Sequence, residues 1–316
     1  MRIVFCGDTF PEAAEYLCRA LPEGFWHEVI VWQGKSLQNE PREVDVLIPK
    51  MYRVDGSLMD ATRARLIQQW GAGLEGVDLE AAKARGIAVA NLPASGSNAD
   101  SVAEHAILLT LALLRKLPLA QTNVYRGILG APTGRMLAGR TVTLYGLGAI
   151  ALPIVERLRA FNVRLFGITR DPHATKVQRL GLDRCFSIRD KAVCLQETDV
   201  LILCLRLSEG TRDAIGEYEL SLLPKGALLV NVARGGVVNY GALLAALESG
   251  RLGGVGLDVF WKEPFDSHDP ILHYENVIAT PHIAGITSQS LSEIAMGVAN
   301  NIHRLRNGAR ILNRVV

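Results

Sequence analysis

The sequence predicts an α/β protein of two domains, each built on a parallel sheet. Short apolar segments alternate with helices of amphipathic spacing in two separate series along the chain. This alternation is typical of parallel strands joined by helical crossovers. A length of 316 residues also favours two domains over one. With 49% apolar and 21% charged residues, the chain can bury a large core, and extended disorder is not expected.

The first series covers about the first 90 residues. Strand-like RIVFCGD, HEVIVW, VDVLIP and IAVAN alternate there with the helical patterns PEAAEYLCRAL and LEAAKARG, the second ending at Gly86. The second series begins at TVTLYGLGAI, where a helix follows the strand, and continues through VRLFGIT, DVLILCL, ALLVNVA, GGVGLDVF and NVIATPH. Each strand of this second series has residues of chemical interest at its carboxyl end.

Two longer helices are predicted outside these series. SNADSVAEHAILLTLALLRKL lies between them and is apolar on more than one face. It is therefore either a core helix or a helix shared between the domains and a partner subunit. The closing stretch TSQSLSEIAMGVANNIHRLRNG is amphipathic and begins with a Thr/Ser cap. The apolar run AILLTLALL is too short to span a bilayer, so we expect a buried helix and no membrane partner.

Charge and cysteine usage argue against several classes of protein. The formal charge is +2 and the basic residues are scattered, which predicts no nucleic-acid partner. Because the sequence opens on a strand-like segment, we expect no signal peptide. No CxxC pair or Cys/His cluster is present, so we expect no metal site, reduced thiols and a cytoplasmic location. The five separated cysteines are Cys6, Cys18, Cys185, Cys194 and Cys204.

The segment TVTLYGLGAIALPIVERLRAF predicts a dinucleotide-binding turn. Its GxGxxA pattern lies between a strand and a helix, which is the context that this fingerprint requires. Gly146 permits the tight turn, Gly148 lets the backbone approach a pyrophosphate, and Ala151 lets the helix pack on its strand. The helix N-terminus then offers free N–H groups to the anion. The alternative is a tight turn with no ligand.

Three segments further along offer residues that one reaction can use together. NVARGGVV carries Arg234, GLDVFWKEP carries Asp258 and Glu263, and IATPHIAG carries His282. Singly, the arginine is explained as a surface cation, the glutamate as a solvated loop acid and the histidine as a satisfied polar residue. All follow strands of one predicted sheet, however, and ligands of such sheets bind at the carboxyl ends of the strands.

Their chemistry fits hydride transfer between a nicotinamide and an oxygen-bearing carbon. Such a reaction needs a proton donor and acceptor near pH 7, and His282 is the natural choice. Glu263 can stabilise the imidazolium and select its tautomer. Arg234 can hold a substrate carboxylate while polarising the adjacent carbonyl. The three residues therefore describe a 2-oxoacid reductase or, equally, a 2-hydroxyacid dehydrogenase.

As a set, the motifs closely resemble those of the D-isomer-specific 2-hydroxyacid dehydrogenase family. GAGLEGVDLEAAKARGIAVAN, SVAEHAILLTLALLR, the GLG turn, NVARGGVV, GLDVF with its following EP, and TPHIAG occur in the order that the family has. The resemblance covers nearly the whole chain. It implies catalytic roles for Arg234, Glu263 and His282, a contact of Asp258 with the nicotinamide carboxamide, and a homodimer formed largely through the nucleotide domain and crossover helix.

The resemblance also implies a domain arrangement. A Rossmann-type dinucleotide-binding domain, 94–285, would be inserted in a flavodoxin-like, discontinuous substrate-binding domain, 1–93 plus 286–316. The active site would lie in the cleft between them, with hinge closure expelling water. Backbone amides around Ala72 and Gly73 would receive the substrate carboxylate. Lys50, Met51 and Tyr52 follow the strand VDVLIP and are also expected to line the substrate pocket.

Three positions depart from the family pattern. Thr169 stands where an acidic residue would follow the second strand of the nucleotide domain, and Arg206 stands where the family commonly has proline. With Arg170, these residues predict NADP(H) over NAD(H), because they can bind a 2′-phosphate. The alternative shifts the acid's role to Asp171. The full set of predicted cofactor-binding residues is Gly146, Leu147, Gly148, Ala149, Ile150, Thr169, Arg170, Cys204, Leu205, Arg206, Ala233, Arg234, Asp258 and His282.

The third departure concerns the substrate. Ile128 and Leu129 occur where the family often has a tryptophan reaching toward a neighbouring active site, so the 2-oxoacid is left open. We therefore expect an NAD(P)-dependent enzyme similar to glyoxylate/hydroxypyruvate reductases. Two alternatives remain, a phosphite-type oxidoreductase and a dinucleotide-sensing binding protein without catalytic activity.

Overall fold

A computed structural model describes residues 1–22, 27–33 and 43–316. The chain forms two compact units. Unit 1 consists of Met1–Asn98 and Ile286–Val316, and unit 2 consists of Ala99–Gly285. Unit 1 is therefore built from two segments that are far apart in the sequence.

Twelve strands and eleven α-helices lie in the described part of the chain. The strands are β1 (Arg2–Cys6), β2 (Glu28–Trp32), β3 (Val46–Ile48), β4 (Leu66–Gln68), β5 (Ala88–Ala90), β6 (Thr141–Tyr145), β7 (Arg164–Thr169), β8 (Arg184–Ser187), β9 (Val200–Leu203), β10 (Ala227–Asn231), β11 (Leu252–Leu257) and β12 (Val277–Ala279). The helices are α1 (Ala13–Ala20), α2 (Gly56–Thr62), α3 (Leu79–Ala84), α4 (Gly96–Leu114), α5 (Leu117–Tyr125), α6 (Ala151–Leu158), α7 (Thr175–Gln178), α8 (Lys191–Gln196), α9 (Glu217–Leu222), α10 (Tyr240–Glu248) and α11 (Ser288–Arg306).

Each unit contains one parallel sheet, which confirms the predicted fold class. The unit 1 sheet has the order β2-β1-β3-β4-β5, and the unit 2 sheet has the order β12-β11-β10-β9-β6-β7-β8. The neighbouring strands of both sheets all run parallel. In unit 2 the first strand, β6, lies between β7 and β9. The strand order reverses there, and this is where open α/β sheets bind their ligands.

Both sheets are covered on both faces, which explains their continuous apolar strands. In β9, Val200 and Ile202 face a core with α4 and α6, whereas Leu201 and Leu203 face a core with α9 and α10. Unit 1 repeats this arrangement, with α2 and α3 on one face. Its other face packs against α1 and α11, so the returning C-terminal segment completes the core. Because the strands of each sheet run parallel, their carboxyl ends lie along one edge of that sheet, where loops can present functional groups.

The long helix between the two series ends earlier than the sequence pattern predicted. The pattern extended to Leu117, but α4 ends at Leu114, and Lys116 adopts a left-handed conformation with φ of 50°. A new helix, α5, begins at Leu117 with a proline in its first turn. Proline is favoured at a helix start and disfavoured in a helix interior, which accounts for the break. None of the helices in the described ranges combines the length and apolar character that a membrane span requires.

Candidate active site

The turn after β6 has the geometry that a dinucleotide requires. Gly146 has φ of +95°, and a Cβ placed there would lie 2.9 Å from the backbone carbonyl of Cys204. Only glycine fits this position. Gly148, by contrast, has open space where a Cβ would be. Ala151 is fully buried, so the helix packs closely on the sheet. The backbone at Gly148 therefore leaves room for a pyrophosphate to approach.

Helix α6 begins directly after this turn. Ile150, the residue just before the helix, makes no side-chain cap, and the first turn contains no acidic residue. In the first turn the Ala151 N–H donates to the Gly148 carbonyl at 3.1 Å and Pro153 has no N–H, so the Leu152 N–H is the donor left without a partner in the helix. The helix dipole adds partial positive charge at this end. Leu147 is buried and its methyl carbons pack over Gly167 of β7, which holds the turn against the sheet. These residues fit an anionic dinucleotide, with Ala149 between the glycine turn and the helix.

Strand β7, whose end was predicted to set the cofactor preference, ends at Thr169. This residue is half-buried and pairs with Ser187 of β8. The next two residues, Arg170 and Asp171, are exposed. One carboxylate oxygen of Asp171 accepts a hydrogen bond of 3.0 Å from the backbone N–H of His173. The acid that could replace a missing strand-end carboxylate is thus engaged in its own loop.

The loop after β9 contains three of the residues that were predicted to bind the cofactor, Cys204, Leu205 and Arg206. The backbone N–H of Cys204 donates to the Tyr145 carbonyl at 2.8 Å, so the chain continues beside β6 past the end of the strand. Burial raises the pKa of the Cys204 thiol to about 12, which leaves it protonated and unreactive at neutral pH. Arg206 is exposed, and its backbone carbonyl accepts a hydrogen bond of 2.6 Å from the Thr211 hydroxyl.

The loop after β10 is held by a fully buried asparagine. The Asn231 side chain donates to the Arg234 carbonyl at 2.9 Å and accepts from the Ala233 N–H at 3.0 Å. The half-buried Arg234 donates through Nη1 to the Ala233 carbonyl at 2.7 Å. A Cβ on Gly235 would lie 2.1 Å from the carbonyl carbon of Phe260. Glycine is therefore required for this loop to pack against the loop that follows β11.

Glu263 and His282 form a hydrogen-bonded pair. Glu263 Oε2 lies 2.7 Å from His282 Nδ1, and Glu263 Oε1 accepts a hydrogen bond of 3.0 Å from the Phe260 N–H. Burial alone would raise the pKa of Glu263, but the bonds from His282 and Phe260 and the charges of His282 and Arg234 lower it below its ordinary value. Glu263 is therefore an anion at neutral pH. Because Nδ1 faces this carboxylate, Nε2 is the ring nitrogen that can exchange a proton with a substrate.

Asp258 anchors the loop that carries His282. Its side chain is 1% exposed and accepts hydrogen bonds from the Thr280 hydroxyl at 2.7 Å, the Ile283 N–H at 2.9 Å and the Ala284 N–H at 2.8 Å. His282 lies between these donors with φ of 56°. A left-handed turn of this kind aims successive N–H groups at one anion. The expected contact of Asp258 with a carboxamide stays a prediction, beside this structural role.

Sequence reasoning missed several polar residues around this site. Asn231 was part of the quoted NVARGG motif but received no role. Thr280 and His105 were also overlooked, although His105 Nε2 lies 2.8 Å from Thr280 Oγ1. An asparagine that directly follows an apolar run is the only signal that the sequence carried for Asn231. Nothing in the local pattern linked His105 to Thr280, since they are 175 positions apart.

The predicted substrate-binding residues lie in unit 1, after β3 and β4. Lys50 is 4% exposed, and its ammonium donates to the Gly7 carbonyl at 2.9 Å and to the Thr9 carbonyl. Burial lowers the pKa of Lys50. Its side chain therefore ties the loop after β1 to the end of β3. Three further predicted residues of this unit, Met51, Tyr52 and Gly73, are half-buried.

Ala72 belongs to the loop after β4 and is also half-buried. Its carbonyl accepts a hydrogen bond of 2.8 Å from the Asn91 side chain. In the preceding residues, the Gln69 amide donates to the Lys50 carbonyl at 2.9 Å. These bonds connect the loops after β3 and β4 at the carboxyl edge of the unit 1 sheet. Across the described residues of both units, no cluster of three or more His, Cys, Asp or Glu side chains could hold a metal ion.

Comparison with known proteins identifies the family. Residues 107–284 match the profile of the D-isomer specific 2-hydroxyacid dehydrogenase, NAD binding domain. The chain is 31% identical to a glyoxylate reductase of Aeropyrum pernix, over 100% of this chain and 96% of the relative. It is 32% identical to a D-3-phosphoglycerate dehydrogenase of Archaeoglobus fulgidus, of which it spans 59% while being matched over 100% of its own length.

A solved structure gives the same picture. An NADPH-dependent glyoxylate/hydroxypyruvate reductase of Sinorhizobium meliloti, in complex with NADP and malonate, is 30% identical with a TM-score of 0.84. The similarity covers 100% of this chain and 96% of that one. The motifs, the two parallel sheets and the sequence matches all agree. The chain belongs to the D-isomer-specific 2-hydroxyacid dehydrogenase family of oxidoreductases.

Proposed function

We propose that this protein transfers a hydride between a nicotinamide dinucleotide and a small 2-oxoacid, as a glyoxylate/hydroxypyruvate reductase does. The observation that carries this proposal is the pair formed by Glu263 and His282, with Arg234 close enough for its charge to act on the carboxylate. These residues follow β10, β11 and β12 of the sheet whose first strand leads into the glycine turn. When bound, the dinucleotide supplies the hydride that adds to the carbonyl carbon.

Each residue has a distinct task in the direction of reduction. Arg234 holds the substrate carboxylate and polarises the adjacent carbonyl. His282 donates its Nε2 proton to the carbonyl oxygen as the hydride arrives, and the neutral ring then takes up a proton from solvent. Glu263 stabilises the imidazolium before transfer and keeps Nε2 directed away from itself. The oxidation of a 2-hydroxyacid uses the same groups in reverse.

The residues of unit 1 belong to the same proposal as substrate-binding residues, in a domain comprising 1–93 plus 286–316, with 94–285 binding the dinucleotide. Backbone N–H groups around Ala72 and Gly73 suit a carboxylate, since amide N–H groups form strong hydrogen bonds to anions. We propose Met51 and Tyr52 as residues that contact the rest of the substrate. Lys50 would act by holding their loop, because its ammonium donates to two backbone carbonyls.

For the cofactor we propose NADP(H) over NAD(H). Thr169 ends β7 where a carboxylate would repel a 2′-phosphate, and Arg170 follows it on the surface. The hydrogen bond between Asp171 and the His173 N–H supports this choice over a shifted acid. The S. meliloti relative is described as NADPH-dependent, which is consistent with it. Arg206 would approach the same phosphate from the loop after β9.

We also propose a homodimer that works in the cytoplasm. Large apolar side chains are exposed close together in sequence on α5 and the loop after it, and Leu129 is 99% exposed. Such surfaces on a folded protein commonly mark an interface. The others in this segment are Val124, Tyr125, Ile128 and Met136. Light scattering should give twice the chain mass, and Leu129→Lys should reduce the measured mass to that of one chain.

The proposed cytoplasmic location rests on the five cysteines, which form no disulfide.

One assay tests the activity. Purified protein is incubated with NADPH and, in parallel, NADH against glyoxylate, hydroxypyruvate, pyruvate and a phosphorylated 2-oxoacid. We expect turnover with small 2-oxoacids and oxidation of the corresponding D-2-hydroxyacids. Oxidation of phosphite with NADP⁺, without turnover of any 2-oxoacid, would support the phosphite-type alternative. Tight dinucleotide binding without turnover of either substrate would support a sensing protein.

A further inference from the structure

His105 is a largely enclosed histidine for which the proposed mechanism has no role. It lies on α4, and its side chain is 11% exposed. Its Nε2 atom lies 2.8 Å from Thr280 Oγ1 and 3.5 Å from Asp258 Oδ1. Burial lowers the pKa of His105 below its ordinary value, although the nearby Asp258 carboxylate acts in the opposite direction. The ring is therefore neutral at pH 7 and can donate only one hydrogen bond.

The direction of these hydrogen bonds follows from the available protons. The ionised Asp258 carboxylate can only accept, and the Thr280 hydroxyl has a single proton to donate. That proton lies on the bond of 2.7 Å from Thr280 to Asp258. The hydroxyl must then accept from His105, so the neutral imidazole carries its proton on Nε2. A chain of donors thus runs from His105 through Thr280 to Asp258.

This chain reaches the loop on both sides of His282. Asp258 accepts from the Thr280 side chain before it and from the N–H groups of Ile283 and Ala284 after it. The His282 N–H donates in turn to the Thr280 carbonyl at 3.0 Å. His282 itself has φ of 56°, a conformation that non-glycine residues rarely adopt without support from their surroundings.

We propose that His105 is a positioning residue for His282. By donating to Thr280, it orients the hydroxyl toward Asp258, and Asp258 in turn holds the 280–284 loop in its left-handed turn. This inference rests on the proposed function, in which His282 is the proton donor. His105 contacts neither substrate nor cofactor in this role. Removing its N–H leaves the Thr280 hydroxyl free to rotate to the Leu257 carbonyl, which lies 3.4 Å away.

Two variants of the full chain separate this role from simple core packing. His105→Leu removes the donor while keeping an apolar side chain of comparable size. His105→Gln replaces the ring with an amide whose N–H reaches about as far as Nε2 does. We expect His105→Leu to lower kcat for 2-oxoacid reduction about tenfold, the order of magnitude of one hydrogen bond to a charged network. KM for the 2-oxoacid and Kd for the dinucleotide should stay within about twofold. His105→Gln should restore kcat to within about threefold of wild type.

A measurement that needs no activity accompanies the kinetics. Hydrogen exchange at the Ile283 and Ala284 amides should be about tenfold faster in His105→Leu than in wild type, and close to wild type in His105→Gln. If wild type reduces no 2-oxoacid, the proposed function fails, but the exchange rates still decide the positioning role. Should His105→Leu not fold, Thr280→Val breaks the same chain one step further along and carries the same expectations.

Several outcomes would overturn the proposal. One is wild-type kcat in His105→Leu, and another is unchanged exchange at Ile283 and Ala284 in that variant. A third is equal impairment of His105→Gln and His105→Leu, because that would make the imidazole shape matter and not its N–H. A fourth is a parallel rise in the dinucleotide Kd, which would indicate a general disturbance of unit 2.

Discussion

The carboxyl ends of the unit 2 strands lie along one edge of the sheet, and the two ends of this edge are built differently. At the end formed by the loops after β10, β11 and β12, the polar side chains are half-buried or buried and bonded to one another, as in the pair Glu263 and His282. At the end formed by the loops after β7 and β9, Arg170 and Arg206 are exposed. Within the part of the chain that the structure describes, neither guanidinium takes part in a hydrogen bond or ion pair.

Substitutions at these two ends are expected to have different consequences. Where side chains hold each other and the backbone, a substitution changes the catalytic geometry and leaves buried polar groups without partners. Where they extend into solvent, a substitution changes ligand selectivity at little expense to the fold. The largest effects on turnover are therefore expected at the bonded end, and selective effects on the cofactor at the exposed end.

The largest effect is expected for His282→Ala. Loss of the proton donor should lower kcat for 2-oxoacid reduction at least about 100-fold, within the range that general acid catalysis supplies. Steady-state kinetics at saturating NADPH measure this, and His268→Ala, at an exposed position of the same unit, is the control. Near-normal kcat in His282→Ala would remove this residue from the mechanism.

Arg234→Lys should have the next largest effect. Lysine keeps the charge but lacks the planar fork that binds a carboxylate through two N–H groups. We expect kcat/KM for 2-oxoacids to fall about 30-fold or more, with little change in the Kd for NADPH by fluorescence titration. Arg189→Lys, an exposed position of the same unit, is the matched control. A collapse of NADPH binding with kcat/KM preserved at saturating cofactor would assign Arg234 to the cofactor.

Glu263→Gln should change the pH dependence of both rate and stability. The imidazolium of His282 loses its anionic partner, so reduction should fail at a pH about one unit lower, equivalent to about 1.4 kcal/mol. The lowered pKa of Glu263 has a second consequence. It contributes stability that is present above the ordinary carboxyl pKa of 4.5 and is lost as pH falls through the lower folded-state pKa.

Rate profiles and denaturant unfolding from pH 3 to pH 9 test both parts of this prediction. Below about pH 4.5, wild type should lose unfolding free energy more steeply than Glu263→Gln does. Glu217→Gln, on the exposed surface of unit 2, serves as the control. Superimposable rate profiles for wild type and Glu263→Gln would show that the carboxylate does not act on the proton donor.

The smallest and most selective effects are expected at the exposed end. Arg170→Ala should reduce kcat/KM for NADPH about tenfold and leave that for NADH unchanged, because it removes one charge-assisted bond to the 2′-phosphate. Thr169→Asp should lower the preference for NADPH over NADH further, because the new carboxylate would repel the 2′-phosphate. Parallel assays with both cofactors measure this. A wild type that prefers NADH, with Arg170→Ala indifferent to the 2′-phosphate, would instead return the acid's role to Asp171.

The strands show how far sequence patterns reach. All ten strand segments predicted from the sequence are present, because each contains an apolar run, and the strands that are covered on both faces are apolar throughout. β4 and β8 were missed. β4 has three residues and ends in the buried polar Gln68, whereas β8 lies at a sheet edge and begins with the exposed Arg184. Neither presents the apolar run by which the other strands were identified.

The amino-acid sequence was sufficient to predict the features that depend on neighbours within a few positions. Apolar runs followed by Gly146, Arg234, Glu263 and His282 indicated strands, turns and reactive side chains. The contacts that hold these groups in place depend on the tertiary fold. The bonds from His105 to Thr280 and from Asp258 to Ala284, like the close approach of Phe260 to Gly235, join residues that are 25 to 175 positions apart. Hydrogen bonds of this length in sequence leave no periodic signal, since a satisfied partner can lie anywhere that the fold brings it.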